Sequence, residues 1–115
     1  MNWGEVELEQ EVRRWFLSLT RDDQETVIFY VDLLADRGVL LGEPYTKQLD
    51  GKLRELRFFL MRDSVRITYW IASGRRIILL TVFRKHRMRE TAEIARAKRA
   101  MMRCIAEAHV VEEEG

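Results

Sequence analysis

The sequence is poor in several residue types whose presence marks common classes of protein. Its 115 residues include one cysteine, one proline and two histidines. A single cysteine excludes an internal disulfide framework and a cysteine-based zinc site, and the histidines lack metal-ligand spacing. No run reaches the roughly 18 apolar residues of a membrane span, and the acidic N-terminus lacks the apolar segment of a signal peptide. We therefore expect one cytoplasmic domain with no metal or other cofactor and no contact with a membrane.

Positive charge is scarce at both ends of the chain and concentrated between them, which the formal net charge of +1 does not reveal. Residues 1–50 carry a net charge of −6, residues 51–103 carry +11 and residues 104–115 carry −4. A basic block in a near-neutral protein is typical of a surface that binds an anionic partner. The alternative is an arginine-rich face that is simply well solvated, and the charge pattern alone does not decide between the two.

The N-terminal half is mainly helical by its apolar spacing. Residues 3–8 predict a short first strand, and residues 12–19 have the spacing of an amphipathic helix. Thr20 predicts the N-cap of a second helix, which Gly38 ends. Residues 39–52 contain Gly-Glu-Pro and Asp-Gly turns and are expected to form a loop.

The second half changes to the alternation of strands. Strands are predicted over residues 53–60, 65–72 and 76–83, with the first turn at Arg62-Asp63, followed by a helix over residues 88–108. The fold class is therefore α+β: an antiparallel sheet, made of the short N-terminal strand plus a three-strand meander, packed by an N-terminal helix pair and a C-terminal helix. Residues 1–109 form the predicted domain, and residues 110–115 form an acidic tail that is expected to be disordered.

The predicted pairing of the first two meander strands separates a core face from a cationic face. With the turn at Arg62-Asp63, Arg57 and Arg66 become diagonal neighbours on the face away from the core. The same face collects Lys85 and three aromatic residues, Phe59, Trp70 and Phe83. Arginines beside exposed rings are typical of RNA recognition, because guanidinium groups bind phosphate and rings stack on bases. For the rings, burial under the last helix is the favoured interpretation. For the two arginines, binding of an anion is favoured, because neighbouring cations otherwise repel.

The chemistry that the sequence offers is cationic. No Gly-rich phosphate loop or carboxylate pair is evident, and Cys104 is expected to be a small core residue. The run Arg84-Lys85-His86-Arg87 suits cleavage of an RNA phosphodiester without metal, in which a base activates the 2′-hydroxyl and cations stabilise the developing charge. Histidine is a residue type suited to proton transfer near neutral pH, which makes His86 a candidate, although an ordinary surface histidine in a basic turn is the favoured interpretation.

Four segments together resemble the RelE/ParE toxin superfamily, and most of all its phage-derived, HigB-like branch. Residues 53–57 contain the E-L-R strand, residues 65–69 the x-R-h-x-Y strand, and residues 78–86 the apolar strand that ends in F-x-K-K, here Phe-Arg-Lys-His. Upstream, residues 41–49 are similar to the L-G-x-P-x-x-K-x-L segment of that branch. The resemblance covers residues 3–108.

The resemblance implies a RelE-like fold and the toxin of a type II toxin–antitoxin system. Such toxins are mRNA interferases: ribosome-dependent endonucleases that cut mRNA in the ribosomal A site and so inhibit translation. The implied partners are the ribosome with its mRNA and a helix-turn-helix, HigA-like antitoxin, while the oligomeric state stays open. The implied catalytic residues are Arg57, Arg66, Lys85 and His86, and His86 stands where the family usually has a second lysine. Further candidates for RNA contact are Arg54, Arg84, Arg87 and Trp70.

Two other functions remain open at this point. One is a catalytically inactive relative that binds a helix-turn-helix antitoxin or repressor. The other is a ParE-type toxin, which inhibits DNA gyrase and cuts no RNA. Some relatives use a tyrosine in the C-terminal helix, and residues 88–108 contain none. The identity of the general base is therefore undetermined by the sequence.

Overall fold

A computed structural model describes residues 2–88 and 90–114, with side chains described as far as residue 107. The α+β class is confirmed, with three helices and one five-stranded sheet in the described part. The elements are β1 (Glu5–Leu8), α1 (Gln10–Leu17), α2 (Arg21–Arg37), β2 (Thr46–Asp50), β3 (Leu53–Leu60), β4 (Asp63–Ala72), β5 (Arg76–Arg84) and α3 (Thr91–Glu114). Among these residues, none of the helices combines the length and apolarity that crossing a bilayer requires. The predicted acidic tail overlaps the end of α3, because the helix runs to Glu114 where residue 108 was predicted as its last residue. Side chains beyond residue 107 lie outside the described part, so the predicted disorder of the tail stays a prediction.

The sheet has one strand more than the sequence predicted. Its order is β1-β5-β4-β3-β2. β2 lies within the predicted loop of residues 39–52 and pairs antiparallel with β3, so that part of the prediction is wrong. Its sequence, Thr-Lys-Gln-Leu-Asp, is largely polar because β2 is an edge strand, and it therefore lacks the apolar alternation that marks a strand. β1 pairs parallel with β5, whereas all the other pairs are antiparallel.

The two ends of α2 are as predicted. The hydroxyl of Thr20 accepts a hydrogen bond from the backbone N–H of Asp23 at 3.2 Å, which satisfies one of the free donors of the first turn. Gly38 follows the helix with φ of 51°. A Cβ atom there would lie 2.1 Å from the ring of Trp3, so the backbone turn and the packing of the indole both require glycine.

The β3–β4 turn is shifted by one residue from its predicted position. Leu60 pairs with Asp63, so Met61 and Arg62 form the turn, and Met61 has φ of 57°. The shift moves every cross-strand partner by two residues, which leaves each side chain on its predicted face. As a consequence Arg57 lies directly opposite Arg66, where a diagonal arrangement was predicted.

Each face of the sheet has its own hydrophobic core. The first core packs α1 and α2 on residues such as Leu56, Ile67 and Leu79, and the second packs α3 on Trp70 and Leu80. β5 contains an extra residue where its pairing shifts opposite Thr68 and Tyr69, and this irregularity decides which of its residues enter each core. The irregularity places Leu79 in the first core and both Ile78 and Leu80 in the second, whereas strict alternation had predicted the reverse.

Candidate active site

Two arginines face each other directly on the sheet face that carries α3. Arg57 of β3 pairs with Arg66 of β4, and Arg66 pairs in turn with Phe83 of β5. The three residues form one row across neighbouring strands, which we call the arginine row. Like charges directly opposite each other in a sheet are unfavourable, and a bound anion relieves that repulsion. The row therefore has the electrostatic character of a phosphate site.

A buried ion pair fixes Arg66 within this row. Its Nε lies 3.3 Å from Oε2 of Glu55, and both side chains are only 9% exposed. Within the described part of the chain, neither atom makes a hydrogen bond of good geometry. Burial lowers the pKa of Arg66, and the charge of Arg57 lowers it further. Arginine remains protonated under such conditions, so the site keeps its positive charge.

The Glu55 carboxyl is the buried acid of the site. Burial raises its pKa above the ordinary 4.5, and the charges of Arg66, Arg57, Lys85 and Lys47 oppose that rise. Desolvation therefore outweighs the attraction of four cations. A carboxylate with a raised pKa takes up a proton more readily than an exposed one, which is the property of a general base.

The arginine row borders a cavity of about 300 Å³, which we call the cationic cleft. Glu55, Arg57 and Phe83 line it from the central strands, Lys85 lines it from just beyond β5, and Lys47 lines it from β2. The backbone N–H of Lys85 donates to the carbonyl of Ser64 at 2.8 Å, which continues the β4–β5 pairing beyond Arg84 and fixes the start of the following loop. The structure thus brings two of the predicted catalytic residues, Arg57 and Lys85, into one cleft with the carboxyl that Arg66 contacts.

The segment between β5 and α3 is held by one carboxylate. Oε1 of Glu90 accepts hydrogen bonds from the backbone N–H groups of His86 at 2.7 Å and Arg87 at 2.8 Å. These two bonds lower the pKa of Glu90. The side chains of His86 and Arg87 are exposed and do not line the cationic cleft, whereas Lys85 and Glu90 do. Of the basic run after β5, the structure brings Lys85 into the cleft and leaves the other two side chains beside it.

Arg54 and Arg84 lie on the opposite face of the sheet, which corrects their grouping with the other basic residues. Arg54 donates hydrogen bonds to Tyr69 Oη and Thr46 Oγ1, both at 3.3 Å. Arg84 forms an ion pair with Asp63 at 3.2 Å. The reason is the alternation of side chains, since each arginine is one residue away from a member of the cleft, Glu55 and Lys85 respectively.

Trp70 is also unsuited to the predicted RNA contact. Its side chain is 7% exposed and packs beneath α3 in the second core, together with residues such as Ala97 and Met101. A ring in that position cannot stack on a base, and burial under the last helix is the correct interpretation. Phe59 is different: at 69% exposure its ring is accessible.

Sequence reasoning did not single out two residues that organise the site, Glu55 and Glu90. Glu55 was recognisable in principle, because it lies two residues before Arg57 and alternation places both on one face. Its burial and its contact with Arg66 depend on the β3–β4 register, which the shifted turn obscured. Glu90 precedes α3 directly, and nothing in its sequence position indicates that its carboxylate turns back onto the basic run.

The fold and a family comparison together indicate the class of protein. A mainly antiparallel sheet with helices on both faces, and a cationic cleft at the end of its last strand, is compatible with the fold of the RelE-like toxins. The sequence model of the family described as Phage derived protein Gp49-like (DUF891) matches residues 14–102. The chain therefore belongs to this Gp49-like family, which is a RelE-like, toxin-like family. No curated protein shows significant similarity to the chain.

Proposed function

We propose that the chain is the toxin of a type II toxin–antitoxin pair, of the HigB-like branch, and that it cleaves mRNA on the ribosome. The observation that carries the proposal is the arginine row beside the buried carboxyl of Glu55. Opposed guanidinium groups suit a phosphodiester, and the carboxyl of Glu55, which shares the cationic cleft with Arg57 and contacts Arg66, supplies a base. Membership of the Gp49-like family supports the same conclusion.

In the proposed reaction Glu55 accepts the proton of a ribose 2′-hydroxyl. The 2′-oxygen then attacks the adjacent phosphorus, the bond to the 5′-oxygen breaks, and the products carry a 2′,3′-cyclic phosphate and a 5′-hydroxyl. Arg57 and Arg66 stabilise the charge that develops on the phosphoryl oxygens, and Lys85 donates a proton to the leaving 5′-oxygen. We assign the base to Glu55 and not to His86, because Glu55 lines the cationic cleft and His86 does not.

The proposed partners follow from the same function. The substrate is mRNA in the ribosomal A site, and the inhibitor is a helix-turn-helix, HigA-like antitoxin encoded beside the toxin. The positive charge of residues 51–103 supports an approach to RNA, since cationic surfaces accelerate association with polyanions.

The test is tightly controlled expression with and without the neighbouring antitoxin gene, with transcript 5′ ends mapped in the same cultures. We expect growth arrest and new in-frame cuts with the unaltered chain, and the loss of both in Arg57→Ala and Glu55→Gln. His86→Gln is expected to keep at least a tenth of the cutting. Arg21→Ala is the matched control, because it removes an exposed arginine at the start of α2, away from the cleft.

The other outcomes separate the alternative functions. Growth arrest without new RNA ends would contradict the proposal and favour a gyrase-inhibiting toxin. No arrest at verified protein levels, with the antitoxin still bound, would favour a catalytically inactive relative. Loss of cutting in His86→Gln but not in Glu55→Gln would overturn the assignment of the base while leaving the endonuclease intact.

A further inference from the structure

A second cavity adjoins the arginine row at the edge of β3. It has a volume of about 310 Å³, and we call it the aromatic cavity. Tyr30, Tyr45, Phe58 and Phe59 supply its rings, and Arg57 and Arg66 line it as well. Arg57 therefore lines both this cavity and the cationic cleft, so a ligand held by its guanidinium group can reach into either space.

The cavity lies where β3 extends beyond the strand beside it: β2 begins only at Thr46, so the residues of β3 after Leu56 have no β2 partner. The last β2–β3 pair joins Thr46 to Leu56, and the carbonyl of Tyr45 accepts a hydrogen bond from the N–H of Arg57 at 2.8 Å. Phe58 and Phe59 continue β3 beyond that point. Tyr45 is thereby fixed at the edge of the sheet, next to strand residues that β2 does not cover.

Tyr30 and Phe58 form a stacked wall of the cavity, and the rings of Tyr45 and Phe59 are accessible. Tyr30 and Phe58 are stacked, with centroids 5.0 Å apart and planes 12° from parallel, and Tyr45 lies 6.4 Å from Tyr30. Tyr45 is 38% exposed and Phe59 is 69% exposed. A phenylalanine that remains so exposed in a chain with two well-filled cores has apolar area available for a ligand.

We propose that the aromatic cavity binds one unstacked nucleobase of the RNA, next to the phosphate held by Arg57 and Arg66. The proposal rests on the proposed function and adds a base-binding subsite to it. Aromatic side chains bind unpaired bases by stacking, and the two arginines that line the cavity complement the phosphate attached to that base. The volume lies at the lower end of the range for ligand pockets, roughly 300–1,000 Å³, which suits a single base and not a larger ligand.

The experiment measures the affinity of the purified protein for a trinucleotide whose sugars are 2′-deoxy, which prevents cleavage. Phe59→Leu and Tyr45→Leu keep apolar bulk and remove a ring, and we expect each to weaken binding by about 5-fold or more. Leu17→Ala is the control, because Leu17 is similarly exposed at 65% and does not line the cavity. It is expected to change the affinity by less than 2-fold.

A second arm uses trinucleotides with a single abasic position. If one base stacks on Phe59, removing that base weakens binding to the unaltered protein but not to Phe59→Leu, so the two losses are not additive. Additive losses, or equal affinities of Phe59→Leu and the unaltered protein, would overturn the proposal. A Phe59→Leu variant that binds the trinucleotide normally but loses the antitoxin would assign the cavity to a protein interface, which also overturns it.

The outcome for the base subsite is independent of the outcome for catalysis. If the protein cuts transcripts in cells but Phe59→Leu binds the trinucleotide normally, the base subsite is wrong and the endonuclease proposal stands. If no transcripts are cut, but the affinity losses from removing the base and from removing the Phe59 ring are not additive, the endonuclease proposal is wrong. The protein then binds single-stranded nucleic acid without cleaving it. Failure of the unaltered protein to bind any trinucleotide at millimolar concentration would overturn the subsite whatever the transcripts show.

Discussion

Arg57 and Arg66 occupy directly opposite positions on β3 and β4, yet their surroundings differ, because Arg66 is paired with the buried Glu55 at 3.3 Å. We therefore expect the two arginines to contribute to stability with opposite sign, although the proposed reaction needs both. Arg57 repels Arg66, whereas Arg66 and Glu55 attract each other. This asymmetry separates effects on folding from effects on activity.

We expect Arg57→Ala to leave the free energy of unfolding unchanged or to raise it by up to about 1 kcal/mol, because it removes a like-charge contact. Arg66→Ala is expected to lower it by about 3 kcal/mol, because Glu55 then remains buried without its partner. Urea denaturation at pH 7 measures both values. Equal losses in the two variants would show that the Glu55–Arg66 contact does not stabilise the fold.

The raised pKa of Glu55 predicts how stability changes with pH. A carboxyl whose pKa is higher in the folded state binds its proton more tightly there, so its contribution is fully present below the unfolded value near 4.5 and is lost as pH rises through the folded value. We expect the free energy of unfolding of the unaltered protein to fall relative to that of Glu55→Gln from about pH 4.5 upward. Parallel curves for the two proteins would contradict the raised pKa.

Glu90 is expected to order the segment after β5. Replacing it with alanine removes the acceptor of two backbone hydrogen bonds, so the amides of His86 and Arg87 should exchange with solvent at least 10-fold faster. Glu93→Ala is the control, since the carboxylate of Glu93 binds Arg96 within α3. Hydrogen exchange followed by NMR reports the individual amides, and equal rates in the two variants would show that Glu90 does not hold the segment.

Gly38 and Gly51 form a matched pair for testing the packing of Trp3. Both have a positive φ, of 51° and 56°, but an added Cβ meets the Trp3 ring at Gly38 and no atom within 4 Å at Gly51. Gly51→Ala is expected to cost about 1–2 kcal/mol from backbone strain. Gly38→Ala should cost roughly 1–3 kcal/mol more, because the indole must move. Thermal unfolding of both variants measures the difference, and equal costs would mean that Trp3 repacks freely.

The sequence predicted best those elements whose residues carry a strong local signal. Thr20 and Gly38 mark the two ends of α2 by their own chemistry, and apolar alternation marks β3, β4 and β5. β2 was missed because an edge strand needs no apolar alternation. The shifted β3–β4 turn was missed because Met61, which adopts a left-handed conformation there, is not a residue type that favours one.

Only one aspect of the site was predictable, namely the face of the sheet on which each strand residue lies. The odd-numbered positions of β3 and the even-numbered positions of β4 place Arg57 and Arg66 on one face for either position of a two-residue turn. The same rule applied to Arg54 and Arg84 would have placed them on the other face. The burial of Glu55 and the hydrogen bonds of Glu90 depend on contacts between elements far apart in sequence, which no local pattern contains.

The parallel pairing of β1 with β5 has a consequence for when the cleft is assembled. Glu5 pairs with Arg76, so β1 can join the sheet only after β5 has been synthesised. The arginine row needs β5 as well, through Phe83. Contacts between such distant segments form late and slow folding. A growing chain therefore has no assembled cleft. Under the proposed function, the interval between synthesis and folding gives the proposed antitoxin time to reach the toxin before it can cleave RNA.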